Sequence, residues 1–423
     1  MKVLIVSHTV LSLDGNMGKT LRAYFQDWCP EDLCQLYFQS EVPTTRLCER
    51  YFRVTDMDLV NALRFRKPGQ VFGPKDIQEE RRTSWAATAR EDQLYRIGKK
   101  RSPMTTWGRN ALWRLGAWKT KELDAWMQQQ KPDVIFYASG DYVFSFRVVQ
   151  YLAEKYGIPV VTAVFDDYYF HRSENSSLLA KWNTKVFRKT MERMMKTAAG
   201  AVYVHPAMQK AYDGVFGRRG QVLYTAAERT QSIEPETGSV RITYLGGLGL
   251  KRDEALLEVS RLLNKLDSSV LLDVYSDESR PEILKHLTEE NGIRFHGAAS
   301  ASEVRRIEAE SHILLLAESQ DPALLERLRY SLSTKVAEYL GSGRCMLAYG
   351  PKEAGSISYL LAEGGLCVAT SPVELEEKLR EVLTSPEARQ TYAKAQLVLA
   401  EKNHTLQRNS AVLKEVLKQA ENA

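Results

Sequence analysis

The sequence predicts two successive doubly wound α/β domains, and three observations predict them. Short β-branched apolar runs alternate with helical stretches through both halves of the chain. The stretch 225–240, TAAERTQSIEPETGSV, breaks that alternation: it has no apolar period and carries Pro and Gly, so it reads as a linker. Each half opens on a strand followed by a glycine-containing turn, the way Rossmann-like domains begin.

Bulk properties bound the problem. A chain of 423 residues is too long for one hydrophobic core. Its composition is that of ordinary globular proteins, and a net charge of +5 does not argue for nucleic acid. No apolar run approaches the ~20 residues of a membrane helix. His8 interrupts the N-terminal apolar run and no small-residue cleavage site follows, so no secretory signal is expected. The five cysteines, Cys29, Cys34, Cys48, Cys345 and Cys367, form no CxxC pair. Reduced thiols in a cytoplasmic protein are expected, and zinc is not.

In the first half, strands are expected at 2–7, 33–39, 133–138, 159–165, 200–204 and 221–224, with helices between them. One interruption, roughly 60–110, is basic and poor in periodicity. From Leu63 to Lys121 there are fifteen Lys or Arg against five Asp or Glu. After the linker, RITYL, VLLDVYS, IRFHG, HILLLA, CMLAY and LCVAT read as strands. The segment 386–421 reads as helical with no further strand.

The stretch LSLDGNMGKTLR, residues 11–22, looks at first like a phosphate-binding loop. The full motif needs a glycine where Leu13 stands, because bare backbone N–H groups must wrap a triphosphate. An ATPase or GTPase is therefore discounted. Two readings of the loop remain: Gly15 and Gly18 let the chain turn into a helix at 17–28, or the loop Gly15–Asn16–Gly18 touches a ligand.

Ligands of such sheets bind beyond the carboxyl ends of the strands, so the residues there carry the functional reading. After RITYL comes GGLGLKRD, which sets Lys251 and Arg252 beside three glycines. Before CMLAY lies SLSTKVAEYLGSG, where Ser331 or Ser333 can cap a helix. Its N-terminus offers unpaired N–H groups and a positive dipole end to phosphate, and Ser333, Thr334 and Lys335 add hydroxyls and a charge. Glu338, three residues beyond Lys335, shares its helical face and can accept from the two hydroxyls of a ribose. The set fits a nucleoside diphosphate. Each feature alone also fits any α/β protein; their coincidence at one sheet edge favours the ligand site.

YLGGLGLKRDEALLEV, IRFHGAASASEVRRIEAESHILLL and STKVAEYLGSGRCMLAYGPKEAGSISYLLAEGGLCV together resemble the donor-binding domain of GT-B glycosyltransferases. This is the large retaining, family 4-like group that builds bacterial capsule, exopolysaccharide and lipopolysaccharide. MKVLIVSH, KPDVIFYASG and GAVYVHPAMQKAYDGVFG resemble the N-terminal half more loosely. The resemblance implies two Rossmann-like domains facing across a cleft: an acceptor domain over 1–225, a donor domain over 240–385, and terminal helices over 386–423 that cross back to the first domain. It implies that Glu338 holds the ribose, that Lys335 with the Ser333–Thr334 backbone meets the diphosphate, and that Arg252, with Lys251 as rival, stabilises the leaving nucleotide. Gly297 and Ala298 would meet the base through backbone, and the Gly15–Gly18 loop would line the cleft. Two departures stand out. The first Glu of the family's paired motif falls at Tyr330, and its common Arg falls at Gly247. Tyr330 or nearby backbone would then contact the donor sugar.

On the acceptor side, Asp166, Asp167 and His171 follow PVVTAVF. Asp166 or His171 can serve as general base or orient the acceptor hydroxyl; equally, Asp166 or Asp167 can cap the next helix. No metal is expected. A retaining enzyme needs no protein nucleophile, and Arg252, Lys335 and the helix end then stabilise the departing diphosphate. The segment 178–197 is amphipathic, with Leu179, Trp182, Val186, Met191 and Met194 tending to one side; core packing is favoured for it. For the basic insert with Trp107, Trp113 and Trp118, core packing and attraction to an anionic membrane stand even.

The expected function is transfer of a sugar from a nucleoside-diphosphate sugar, with UDP the expected nucleotide. The expected acceptor is a glycan or a polyprenyl-linked chain in surface polysaccharide assembly. The expected place is the cytoplasm, at the inner face of the cell membrane if the basic insert docks there. A nucleotide-sugar epimerase or hydrolase on the same fold, and a non-catalytic nucleotide-sugar binding protein, are the alternatives. A dinucleotide dehydrogenase is disfavoured, because no G-x-G-x-x-G opens either half.

Overall fold

The structure is a computed structural model. It describes residues 1–12, 16–64, 67–78, 102–171, 177–229 and 239–422. Gly15, the middle of the basic insert and most of the linker lie outside the described residues. The chain divides into two compact units, Met1–Leu223 with Asn409–Ala423, and Tyr224–Arg408.

The first unit is built on an eight-stranded sheet. Its strands are β1 (Val3–Ser7), β2 (Leu33–Tyr37), β3 (Tyr51–Arg53), β4 (Gln70–Phe72), β5 (Val134–Ser139), β6 (Val160–Val164), β7 (Gly200–Tyr203) and β8 (Gln221–Val222). The order is β4-β3-β2-β1-β5-β6-β7-β8. Every neighbouring pair is parallel except β3–β4. β1, β2, β5 and β6 are buried throughout. Helices cover both faces of such a sheet, so its central strands read as continuous apolar runs rather than alternating ones. Chain order reverses at β1, with Val3 paired to both Leu33 and Val134. The carboxyl ends of β1 and β5 therefore flank the crevice where doubly wound sheets bind ligands. β3 and β4 were not anticipated, and β4 falls inside the basic interruption. Three-residue strands at a sheet edge are too short to show a period.

Helix boundaries follow local chemistry. Ser102, Thr120 and Ser177 cap the helices Pro103–Arg114, Lys121–Gln130 and Leu178–Thr197, each accepting from the N–H three residues on. Gly157 and Gly217, both left-handed, end Val143–Tyr156 and Pro206–Phe216. In Leu178–Thr197 the buried face is Ala180, Phe187, Met191, Met194 and Met195. The expected core face thus holds for its two methionines, while Trp182 is 47% exposed. Trp113 and Trp118 are buried and Trp107 is half exposed.

The second unit carries β9 (Ile242–Leu245), β10 (Leu272–Tyr275), β11 (Ile293–Gly297), β12 (Ile313–Ala317), β13 (Cys345–Tyr349) and β14 (Val368–Ala369). The order is β11-β10-β9-β12-β13-β14, all parallel. Here the order reverses between β9 and β12. One face packs the helix Arg252–Leu266 through Leu256, Val259 and Leu263 against Leu272, Val274, Leu315 and Leu347, all fully buried. Burial of each such leucine is worth about 2 kcal/mol.

The helical C-terminal segment is two helices, Pro386–Asn403 and Leu406–Glu421, parted at His404 and Thr405. Residues from Asn409 on belong to the first unit. Lys414 donates to the Asp27 carbonyl at 3.1 Å and sits 4.7 Å from the Trp28 ring centroid. Val416 packs against β7 beside Gly200, where a Cβ would stand 3.4 Å from Val416 Cγ1.

Candidate functional site

The second unit concentrates charge where its strand order reverses. The turn after β9 runs through Gly246–Lys251 and carries two successive left-handed residues, Leu250 (φ 60°) and Lys251 (φ 54°). A non-glycine residue there is uncommon, and two in a row mark a turn whose path the surroundings dictate. The turn delivers Arg252 as the first residue of its helix.

Arg252 Nε and Nη2 donate to one oxygen of Glu318, at 3.1 and 2.8 Å. Glu318 is the residue directly after β12, and its side chain is 5% exposed. Burial pushes its carboxyl pKa up, and the Arg252 cation pulls against that. Burial works to lower the Arg252 pKa, but the charge and hydrogen bond of Glu318 together with Tyr244 outweigh it, and the net direction is up. Lys251 pairs with Asp321 at 2.7 Å. Both cations of the β9 turn thus meet carboxylates from the segment after β12. The sequence weighed Arg252 and Lys251 as rivals for one role, but it did not reveal their partners. No local spacing links residues 66 and 70 positions apart.

The helix Thr334–Gly341 brings its N-terminus to the same edge. Ser333 is its N-cap residue by position but makes no side-chain cap. Instead, the Ser333 N–H donates to Ser356 Oγ at 3.0 Å. Ser356 also hydrogen-bonds the Glu318 carboxylate. Gly355, beside it, allows the contact, since a Cβ there would stand 2.3 Å from the Ser331 carbonyl. Tyr339 ties this helix to β9, its hydroxyl accepting from the Leu245 N–H at 3.2 Å. The Lys335 stem crosses the turn at Gly246. Arg252, Lys335 and the Ser333–Thr334 helix end therefore converge through Gly246, Glu318 and Ser356. Thr334 is exposed, and Glu338 is half-buried one turn further along. Tyr330 is half-buried, with Arg329 stacked 5.6 Å from its ring. The Gly247 carbonyl accepts from Tyr244 at 2.8 Å.

Gly297 ends β11 in the left-handed region (φ 76°), with Ala298 exposed after it. They lie two strands from β9, at the sheet edge. On the same strands Asp273 accepts from Arg241 at 3.1 Å and meets His296 at 2.7 Å, and His296 stacks on Tyr275 at 4.3 Å. The sequence reading missed this cluster. Its members alternate along separate strands and carry no motif.

In the first unit, Asp166 and Asp167 part company. Asp167 accepts from the Tyr169 and Phe170 N–H groups at 3.1 and 3.0 Å and from the Tyr212 hydroxyl at 2.8 Å. It organises this turn but caps no helix among the described residues: the next helix is capped by Ser177, not by either aspartate. Asp166 stays open to solvent on one side. The protein crowding its other side, with Asp141 and Asp167 nearby, raises its pKa against the pull of the Tyr168 hydroxyl. His171 is half-buried, and its Nδ1 has no hydrogen-bond partner. Asn16 opens the helix Asn16–Phe25. Gly18 is buried: a Cβ there would lie 2.4 Å from Ser12 Oγ and 2.5 Å from the Val10 carbonyl. That glycine answers a packing demand. The residues after β1 and β5, His8 and Tyr142, stack at 4.1 Å, with Arg109 4.6 Å from the Tyr142 ring. The sequence reading missed this pair too. Among the described residues, no group of three or more His, Cys, Asp or Glu is arranged to hold a metal ion.

Residues 255–415 match the family model described as glycosyl transferase-like. The matched stretch includes Glu318, Lys335 and Glu338 and begins just after Arg252. No curated protein matches the chain at significant sequence similarity. Among solved structures, HepE of Anabaena in complex with UDP superposes with a TM-score of 0.63 at 12% identity, over 99% of this chain and 100% of that one. Sucrose-phosphate synthase from Thermosynechococcus elongatus does so at 0.61 and 10% identity, over 99% and 98%. The trehalose-phosphate synthase of Burkholderia xenovorans, in complex with glucose-6-phosphate, gives 0.61 and 12%, over 98% and 100%. The fold is GT-B, with two parallel-sheet domains. Fold and family domain together support a glycosyltransferase activity.

Proposed function

We propose that the protein transfers a sugar from a UDP-sugar to a glycan or lipid-linked acceptor, as a step of surface polysaccharide assembly. One observation carries the reading: Arg252, just ahead of the stretch that matches the glycosyl transferase-like model, converges with Lys335 and a helix N-terminus inside it, where the strand order reverses. N–H groups, a guanidinium and an ammonium make a diphosphate site. Glu338, one turn along the same helix, is assigned the ribose hydroxyls. HepE, of the same fold, has been solved with UDP and with UDP-glucose, which supports uridine as the base.

In this reading the chemistry lies in the leaving group. Arg252, Lys335 and the helix end stabilise charge as it develops on the departing diphosphate, as preorganised electrostatics. The enzyme retains anomeric configuration and needs no protein nucleophile or metal. Asp166 and His171 are assigned to the acceptor hydroxyl.

An anionic membrane surface is the proposed docking place of the first unit. Met104, Trp107, Leu178 and Trp182 are exposed large apolar side chains near the starts of two helices joined by a hydrogen bond from Asn183 to the Pro103 carbonyl. Lys181, Lys185 and Lys189 lie on the second helix. Among the described residues, no helix is long and apolar enough to cross a membrane.

The test is thermal unfolding against UDP, GDP, dTDP, CMP, ATP and NAD, with and without magnesium. A ligand at a hundred times its dissociation constant stabilises by about 2.7 kcal/mol. A shift with UDP alone that is lost in Glu338→Ala is the expected result. A shift only with ATP or NAD would sink the proposal.

A further inference from the structure

We infer that Glu318 is a positioning residue, fixing the Arg252 guanidinium so that its remaining N–H edge is presented to the diphosphate of the donor. The inference rests on the donor site proposed above and adds to it a residue from the opposite side of the strand-order reversal.

Four observations support the assignment. Glu318 follows β12 without an intervening residue, so the sheet sets its backbone. A Cβ at Gly350 would stand 2.9 Å from Glu318 Cβ, so β13's exit holds it from one side. Ser356, which also accepts from the Ser333 N–H, holds the carboxylate from another. Arg252 then docks by Nε and Nη2 on a single carboxylate oxygen. A guanidinium has five N–H donors in a rigid plane, so anchoring one edge aims the rest. The serine that orients the anchor also binds backbone at the start of the phosphate-binding helix. The two halves of the site are thereby set against each other through one carboxylate and one hydroxyl.

This arrangement has a chemical consequence. The Arg252–Glu318 pair carries no net charge. Arg252 therefore acts on the diphosphate through directed N–H groups.

The experiment compares UDP with uridine by calorimetric titration. The ratio of their affinities isolates contacts to the diphosphate, and uridine alone reports whether the fold and base site survive. The variants are R252A, E318A, E318Q and the R252A/E318A double. The expected result is that E318A lowers the UDP-to-uridine ratio about tenfold, as loss of a charge-assisted contact does, with uridine affinity unchanged. R252A lowers it similarly, and the double variant lowers it no further than R252A. E318Q, whose amide oxygen still accepts from Arg252, keeps the wild-type ratio or exceeds it. Additive losses in the double variant, an unchanged ratio in E318A, or a loss in E318Q equal to that in E318A would each overturn the positioning role. If the wild type itself does not prefer UDP to uridine, the donor-site proposal fails, and this inference fails with it.

Discussion

The side chain of Lys335 lies across the turn at Gly246, so close that a Cβ on that glycine would stand 2.6 Å from Lys335 Cε. Gly246 also has a φ of 154°, which side chains rarely adopt. Gly246→Ala is therefore expected to displace the ammonium and strain the turn together. UDP affinity should fall by about tenfold or more, and stability by about 1–3 kcal/mol. Titration and thermal unfolding measure the two effects. Unchanged UDP binding in a folded G246A protein would remove Lys335 from the phosphate site.

Asp166 and Asp167 should separate function from stability. Asp167→Ala strips acceptors from two N–H groups and a tyrosine hydroxyl and should cost about 2–4 kcal/mol. Asp166→Asn should leave the melting temperature within a degree or two while depressing sugar transfer. Full transfer by D166N would exclude Asp166 as the acceptor-side base.

Two buried groups give stability opposite pH dependences. Burial pushes the Glu41 carboxyl up to about 7, although the Val10 N–H donates to it at 2.6 Å. The unfolded chain releases this proton from about pH 4.5. Stability is therefore lost as pH rises from there to about 7, by up to about 3 kcal/mol. Glu41→Gln should flatten that decline.

His404 has the opposite sign. Burial lowers its pKa to about 4, and it sits between the Thr225 carbonyl at 2.7 Å and the Tyr359 hydroxyl at 2.9 Å. The unfolded chain takes up the proton below about 6.5 while the folded one does not. Stability is therefore lost as pH falls from there toward 4, again by about 3 kcal/mol at most. Comparing melting temperatures of E41Q and H404Q with wild type from pH 4 to 8 checks both slopes. A reversed slope difference for either variant would refute the burial argument for that residue.

Docking of the first unit on anionic lipid predicts that Trp107→Ser with Trp182→Ser abolishes cosedimentation with phosphatidylglycerol vesicles. Thermal stability should change little, since both rings are about half exposed. Equal binding to neutral vesicles would contradict the role given to the lysines.

Much of the architecture was legible because it is local. Continuous apolar runs marked β1, β5, β12 and β13, since strands buried on both faces need apolar side chains at every position. Lys335, Glu338 and the Ser333–Thr334 turn could be proposed as one group because a helix end keeps sequence neighbours together in space. The sequence also set Arg252 beside the glycines that follow β9. Only the tertiary structure decided what Arg252 faces. Glu318 reaches it across two strands that are neighbours because chain order reverses between them, and no period or spacing encodes that pairing. The same holds for Asp167, whose partner Tyr212 lies 45 residues away, and for Gly18, whose small size is demanded by Val10 and Ser12 folding back upon it. Local propensity fixes which elements form; long-range packing fixes which side chains meet, and the chemistry proposed for this protein depends on those meetings.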